Sequence, residues 1–127
     1  KESDFVIEEG VLTAYTGNAN AVIIPDGVTE IAEQVFRDDT HMKSVVIPES
    51  VETIGYWAFH ACSRLTSVTL PDNGLVIGKG AFDDCRELRQ IDIPDSVIVY
   101  PNAFSRCDKL TNTHMPGAED ILIGKDH

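Results

Sequence analysis

One spacing constrains this chain more than any other property. Pro25, Pro48, Pro71 and Pro94 recur at intervals of 23 residues, and Phe36, Phe59, Phe82 and Phe104 recur in step with them. Six residues after each Phe stands Met42, Leu65, Leu88 or Leu110; five before it stands Ile31, Ile54, Ile77 or Val99. Cys62, Cys85 and Cys107 each follow a Phe by three, and Asp39 holds that place in the first unit. Self-similarity at a fixed short period is the mark of a repeat architecture. A single 23-residue unit has too few inward side chains to offset the entropy of ordering it, so the units must stack and bury one another's faces.

Each unit opens on a strand pattern. Val22-Ile23-Ile24, Val45-Val46-Ile47, Val68-Thr69-Leu70 and Ile91-Asp92-Ile93 keep the first and third positions apolar while the middle one varies. That is period-two alternation with one fixed face and one free face. The following Pro ends the strand because it has no N–H for a continuing ladder. A second apolar pair follows, such as Val51 and Ile54, and Gly55 or Gly78 lets the chain turn. Ala58-Phe59 and Ala81-Phe82 then fall where a short helical or 3₁₀ turn would close the coil. The expected fold is an α/β repeat solenoid, a right-handed stack of four 23-residue coils with a parallel sheet on one face.

The units have the form VxIPxSVxxIGxxAFxxCxxLxS, which resembles the BspA-like class of leucine-rich repeats over residues 22–116. The resemblance implies a bacterial cell-surface protein, extracellular, that contacts host proteins or other cells. The stretch DFVIEEGVLTAYTG (4–17) is similar to the strand-rich lead-in that precedes such repeats, and Glu9-Gly10 suits a tight hairpin turn. The hairpin is expected to cover the open edge of the first coil. A single domain over 1–127 is read as a hairpin cap (4–21), repeats at 22–44, 45–67, 68–90 and 91–112, and an incomplete fifth repeat or tail (113–127). Gly74 stands where repeat three calls for Val, with Leu75 beside it as a substitute. Repeat four is one residue short before Phe104 and has Tyr100-Pro101 where Ile-Gly is followed by a free residue. The chain begins at Lys1 and is read as a piece of something longer; its apolar C-terminal residues suggest self-association through an uncapped end.

Charge narrows the partners. With 21 acidic and 10 basic residues the net charge is −11, which repels nucleic acid and anionic lipid. No apolar run is long enough to span a membrane. The three cysteines share the phase of Phe and Leu, so they read as small buried apolar residues, reduced, rather than as metal ligands or a disulfide. His41, His60, His114 and His127 read as exposed or incidental. Asp38-Asp39 and Asp83-Asp84 lack the spacing of a calcium loop and read as solvated surface. Trp57 is expected to face solvent at the edge of a coil.

No nucleophile motif, phosphate loop or cofactor signature appears, so neither an enzymatic activity nor a cofactor is expected. Two readings remain: a binding or adhesion module that contacts a protein through its strand face, and a structural spacer in a larger surface protein. The outward row is Ser44, Val46, Ser67, Thr69, Gln90, Asp92, Asn112 and His114. Its longer polar members, with the neighbouring Arg89, give the candidate contact set: Arg89, Gln90, Asp92, Asn112 and His114.

Overall fold

The computed structural model describes residues 4–111. Asn112 and His114, the fifth-repeat residues and the C-terminal tail lie outside them. The chain winds as stacked coils, each contributing one short strand to each of two parallel arrays. The first array is a four-stranded sheet of β3 (Ala21–Ile23), β5 (Ser44–Val46), β7 (Ser67–Thr69) and β9 (Gln90–Ile91). Its register, Val22 on Val45 on Val68 on Ile91, is the 23-residue repeat in three dimensions.

The second array is a sheet that the strand patterning did not announce. β4 (Glu30–Ile31), β6 (Thr53–Ile54), β8 (Val76–Ile77) and β10 (Ile98–Val99) stack in parallel, with Ile31, Ile54, Ile77 and Val99 in one column. Two hairpin strands, β1 (Phe5–Glu8) and β2 (Val11–Tyr15), extend it to six. Glu9 and Gly10 turn the hairpin with φ of 52° and 83°, the left-handed pair that a two-residue turn requires. β2 pairs in parallel with β4, Leu12 on Ile31. The lead-in therefore covers the edge of the second sheet only, and β3 remains an edge of the first.

Between the two sheets lies the core. Phe36, Phe59, Phe82 and Phe104 form a column of near-parallel rings with centroids 4.9, 4.9 and 5.5 Å apart, and Tyr15 tilts over its first member at 5.2 Å. Ile31, Ile54, Ile77, Met42, Leu65 and Leu88 are all completely buried. Leu75 is buried as well and takes the place left by Gly74, whose φ is +79°.

The corner around each Phe is not helical; the described residues contain no α-helix. Residues two before and two after each Phe are left-handed: Gln34 and Asp38, Trp57 and Ala61, Gly80 and Asp84, Asn102 and Arg106, with φ between 59° and 67°. Short bonds such as His60 N to the Trp57 carbonyl (3.1 Å) tighten the turn, but the left-handed residues prevent it from propagating. They also rotate alternate N–H groups onto the next coil. Gln34, Phe36 and Asp38 donate to the carbonyls of Tyr56, Ala58 and His60; Trp57, Phe59 and Ala61 to those of Lys79, Ala81 and Asp83; Phe82 and Asp84 to those of Ala103 and Ser105. These bonds form a third ladder between coils, 2.7–3.2 Å long. Gly55 and Gly78 serve a different need from the turn expected of them. Neither has a positive φ; a Cβ on Gly78 would lie 2.7 Å from the Ile54 carbonyl oxygen of the coil before, and one on Gly55 2.9 Å from that of Ile31. They let adjacent backbones touch.

Candidate functional site

Alternation along the first sheet sorts its side chains. Val22, Val45, Val68 and Ile91 point inward and are buried, while their neighbours form two outward columns. One column is Ala21, Ser44, Ser67 and Gln90; the other is Ile23, Val46 and Thr69, with Asp92 next along. Gln90 and Asp92 are exposed, as is Arg89 just before β9, so three of the five candidate contact residues sit together at one end of the face. The Arg89 carbonyl accepts the Thr111 N–H at 3.0 Å, which ties this end to the chain that follows. The row also extends further than its sequence reading: Ile23, 68% exposed, and the partly exposed Val46 make its other end apolar.

A second cluster lies on the left-handed corner and corrects the reading of Asp83, His60 and Trp57. Asp83 is only 3% exposed rather than solvated. Arg106 grips its carboxylate with both arms of the guanidinium, Nε to Oδ1 at 3.1 Å and a terminal nitrogen to Oδ2 at 2.5 Å. His60 is largely buried, and its Nδ1 lies 3.2 Å from Oδ2, off the line that a hydrogen bond needs, so it is a charge contact when the imidazole is protonated. Trp57 is half-buried: its ring meets His60 edge-on at 5.4 Å and occupies the space where a Cβ on Gly80 would go. With Gln34 and Arg37 these groups line a shallow cavity of about 280 Å³. The sequence carries the signal, since Arg37, His60, Asp83 and Ser105 each follow a Phe by one and must stack. Asp38, by contrast, is exposed as expected, and Asp39 accepts the N–H groups of His41 and Met42 at 2.7 and 2.9 Å.

The cysteines fill one niche in successive coils, as their phase implied. Each is fully buried, and each Sγ donates to the carbonyl of the Phe one coil earlier: Cys62 to Phe36, Cys85 to Phe59 and Cys107 to Phe82, at 3.1–3.2 Å. The neighbouring Cys62 thiol and burial push the Cys85 thiol well above its ordinary pKa; burial does the same for Cys107. All three are free. Among the described residues no group of three or more His, Cys, Asp or Glu side chains could hold a metal ion, and no helix is long and apolar enough to cross a membrane.

Two parallel sheets in a shared 23-residue register and a buried Phe column describe a leucine-rich-repeat solenoid. Residues 7–123 match the BspA type leucine rich repeat region in six copies. The chain belongs to this family. Bacterial leucine-rich repeat proteins of solved structure share the fold. A leucine rich cell surface protein of Faecalibacterium prausnitzii is 35% identical, with a TM-score of 0.70 over 84% of this chain and 33% of its own. A leucine rich repeat protein of T. pallidum is 29% identical, with a TM-score of 0.63 over 84% of this chain and 63% of its own. One from Bacteroides capillosus is 28% identical, with a TM-score of 0.65 over 76% of this chain and 88% of its own. The chain thus spans less than two thirds of the first two. No curated protein matches it.

Proposed function

We propose that this chain is a non-enzymatic protein-binding segment of a bacterial cell-surface repeat protein, and that it binds through the outward face of the four-stranded sheet. The observation that carries the reading is the register, which aligns the variable outward positions of four coils into one continuous surface while every inward position is sealed in the core. Arg89, Gln90 and Asp92 supply its charged and long polar end, and Asn112 and His114 continue the same repeat phase in sequence. The relative from Faecalibacterium prausnitzii is a cell surface protein, which supports an extracellular setting. Small side chains such as Ala21, Ser44 and Ser67 give modest affinity per copy, so strong adhesion comes from several repeats or several molecules acting together.

A spacer reading is favoured by the same small residues. The two separate on one experiment: replace Arg89, Asp92 and His114 together with Ala in the parent protein and measure capture of host matrix and host cells. Loss of capture with the fold intact supports the face; wild-type capture by the folded triple variant overturns it and leaves the spacer.

A further inference from the structure

The β3 edge of the first sheet offers a second mode of recognition, independent of its face. β3 pairs on one side with β5, and no described strand lies on the other. Asn20 and Ile24 direct their backbone groups to the second coil, the Asn20 carbonyl accepting from Lys43 and Ser44 and the Ile24 N–H donating to Val46. In a parallel ladder alternate residues face opposite sides, so Ala21 and Ile23 turn their N–H and C=O groups outward. Exposed edges are ordinarily blunted by Lys, by a bulge or by a covering element. Here the edge carries Ile23, 68% exposed, and the hairpin that might have covered it pairs with the other sheet.

Beside this edge lies a groove of about 450 Å³, lined by Phe5, Tyr15, Ala19, Ala21, Ile23 and Asp26 among others. Its aromatic wall is fixed, because Phe5 and Tyr15 pack at 5.0 Å and Tyr15 is held by the Phe column. Unpaired strand groups next to an apolar groove fit one kind of occupant, an extended peptide that adds a strand and sends alternate side chains into the groove. Charge selects among such peptides. Among the described residues Asp26 is the only charged side chain lining the groove, and the chain as a whole carries −11. We infer that β3 is a strand-addition site for an extended, basic peptide segment of another protein, its apolar residues seated between Ile23 and the Phe5–Tyr15 wall.

The probe is a capped hexapeptide of alternating lysine and valine, titrated into the ¹⁵N-labelled protein to about 1 mM, the range of weak single-site affinities. The amides of Ala21 and Ile23 should shift and, at half-saturation, exchange with solvent about twofold more slowly as they gain partners. Ile23→Lys, an exposed substitution that leaves the core untouched, should weaken the peptide by about tenfold, a loss of roughly 1.4 kcal/mol. A glutamate–valine peptide should bind weakly, and a peptide with a central proline not at all. Silence at Ala21 and Ile23, an equal response to the acidic peptide, or shifts confined to Arg89, Gln90 and Asp92 would overturn the inference. So would protection of the two amides that rises with protein concentration alone, which would make the occupant a second copy.

Discussion

His60 and Asp83 stand one repeat apart in the chain and 3.2 Å apart in the fold. The coil period decides which side chains meet, and the same rule pairs Arg86 with Asp108 and Lys109 with Glu87, at 2.7 and 2.9 Å. The Lys109 ammonium holds the Glu87 carboxyl below its usual pKa, though both groups are open to water. The partnership that matters for stability is the buried one. Removing Arg106 takes the bidentate guanidinium away from a carboxylate that is 3% exposed. Arg106→Ala should cost about 1–3 kcal/mol, toward the lower end because Arg106 is 40% exposed. A double-mutant cycle with Asp83→Ala, read by urea unfolding, should give a coupling of at least about 0.5 kcal/mol. Strict additivity would mean that the contact contributes nothing.

Phe59 sits between Phe36 and Phe82 at 4.9 Å from each and is fully buried. Phe59→Ala opens a void in the middle of the column and should cost about 3–5 kcal/mol. Phe59→Leu should cost less than half as much, since it retains most of the volume. Equal losses for the two would indicate that ring stacking, not filled space, holds the column.

Thiol chemistry gives a pH dependence with a defined sign. The neighbouring Cys62 thiol and burial raise the folded pKa of Cys85, and burial raises that of Cys107, whereas the unfolded thiols ionise at ~8.5. The folded state therefore binds more protons than the unfolded state at alkaline pH. Their contribution is fully present below the unfolded pKa and declines as pH rises above it. Melting temperature should fall above about pH 9, and the fall should be shallower in the double variant Cys85→Ala, Cys107→Ala. Native alkylation should be slow and become fast on unfolding. Rapid labelling of the folded protein would contradict the buried ladder.

Gly78 and Ala61 should respond in opposite directions. Gly78→Ala drives a Cβ against the Ile54 carbonyl and should cost about 1–3 kcal/mol. Ala61→Gly relieves a left-handed alanine at φ 59° and should be neutral or stabilising, within about 1 kcal/mol. Thermal melts of the two variants check both signs, and destabilisation by Ala61→Gly would show that the turn needs the methyl group.

What was legible in the chain was whatever repeats by residue type. The Phe, Leu and Ile positions recur as apolar residues in all four coils and the Cys position in three, with Asp39 in the first; all but Asp39 and the partly buried Val99 are buried where their phase puts them. The second sheet was harder to see because its strands are two residues long in each coil, too short to display alternation. The left-handed positions were hidden because Gln34, Trp57, Gly80 and Asn102 share a backbone angle and no chemistry. Asp83 looked solvated because it was read beside Asp84, its neighbour in sequence, rather than beside His60 and Arg106, its neighbours across coils. Ile23 was missed because the outward row was read from the second coil onward. Its exposed, unpaired edge depends on where the hairpin docks, which no local pattern specifies.

The corner ladder has an electrical consequence. In the two sheets, bonds between coils run both ways: Ile24 donates forward to Val46 and Gly55 back to Ile31, so their peptide dipoles largely cancel. At the Phe corner every inter-coil bond runs forward, from Gln34, Phe36 and Asp38 through to Phe82 and Asp84. Peptide moments of ~3.5 D therefore add along the stack as they do along an α-helix. The solenoid is a rod with a polarity, its later coils electropositive and its earlier coils electronegative, and each further repeat lengthens the moment. Between two such rods this moment favours head-to-tail over head-to-head contact, set against the mutual repulsion of chains that each carry −11.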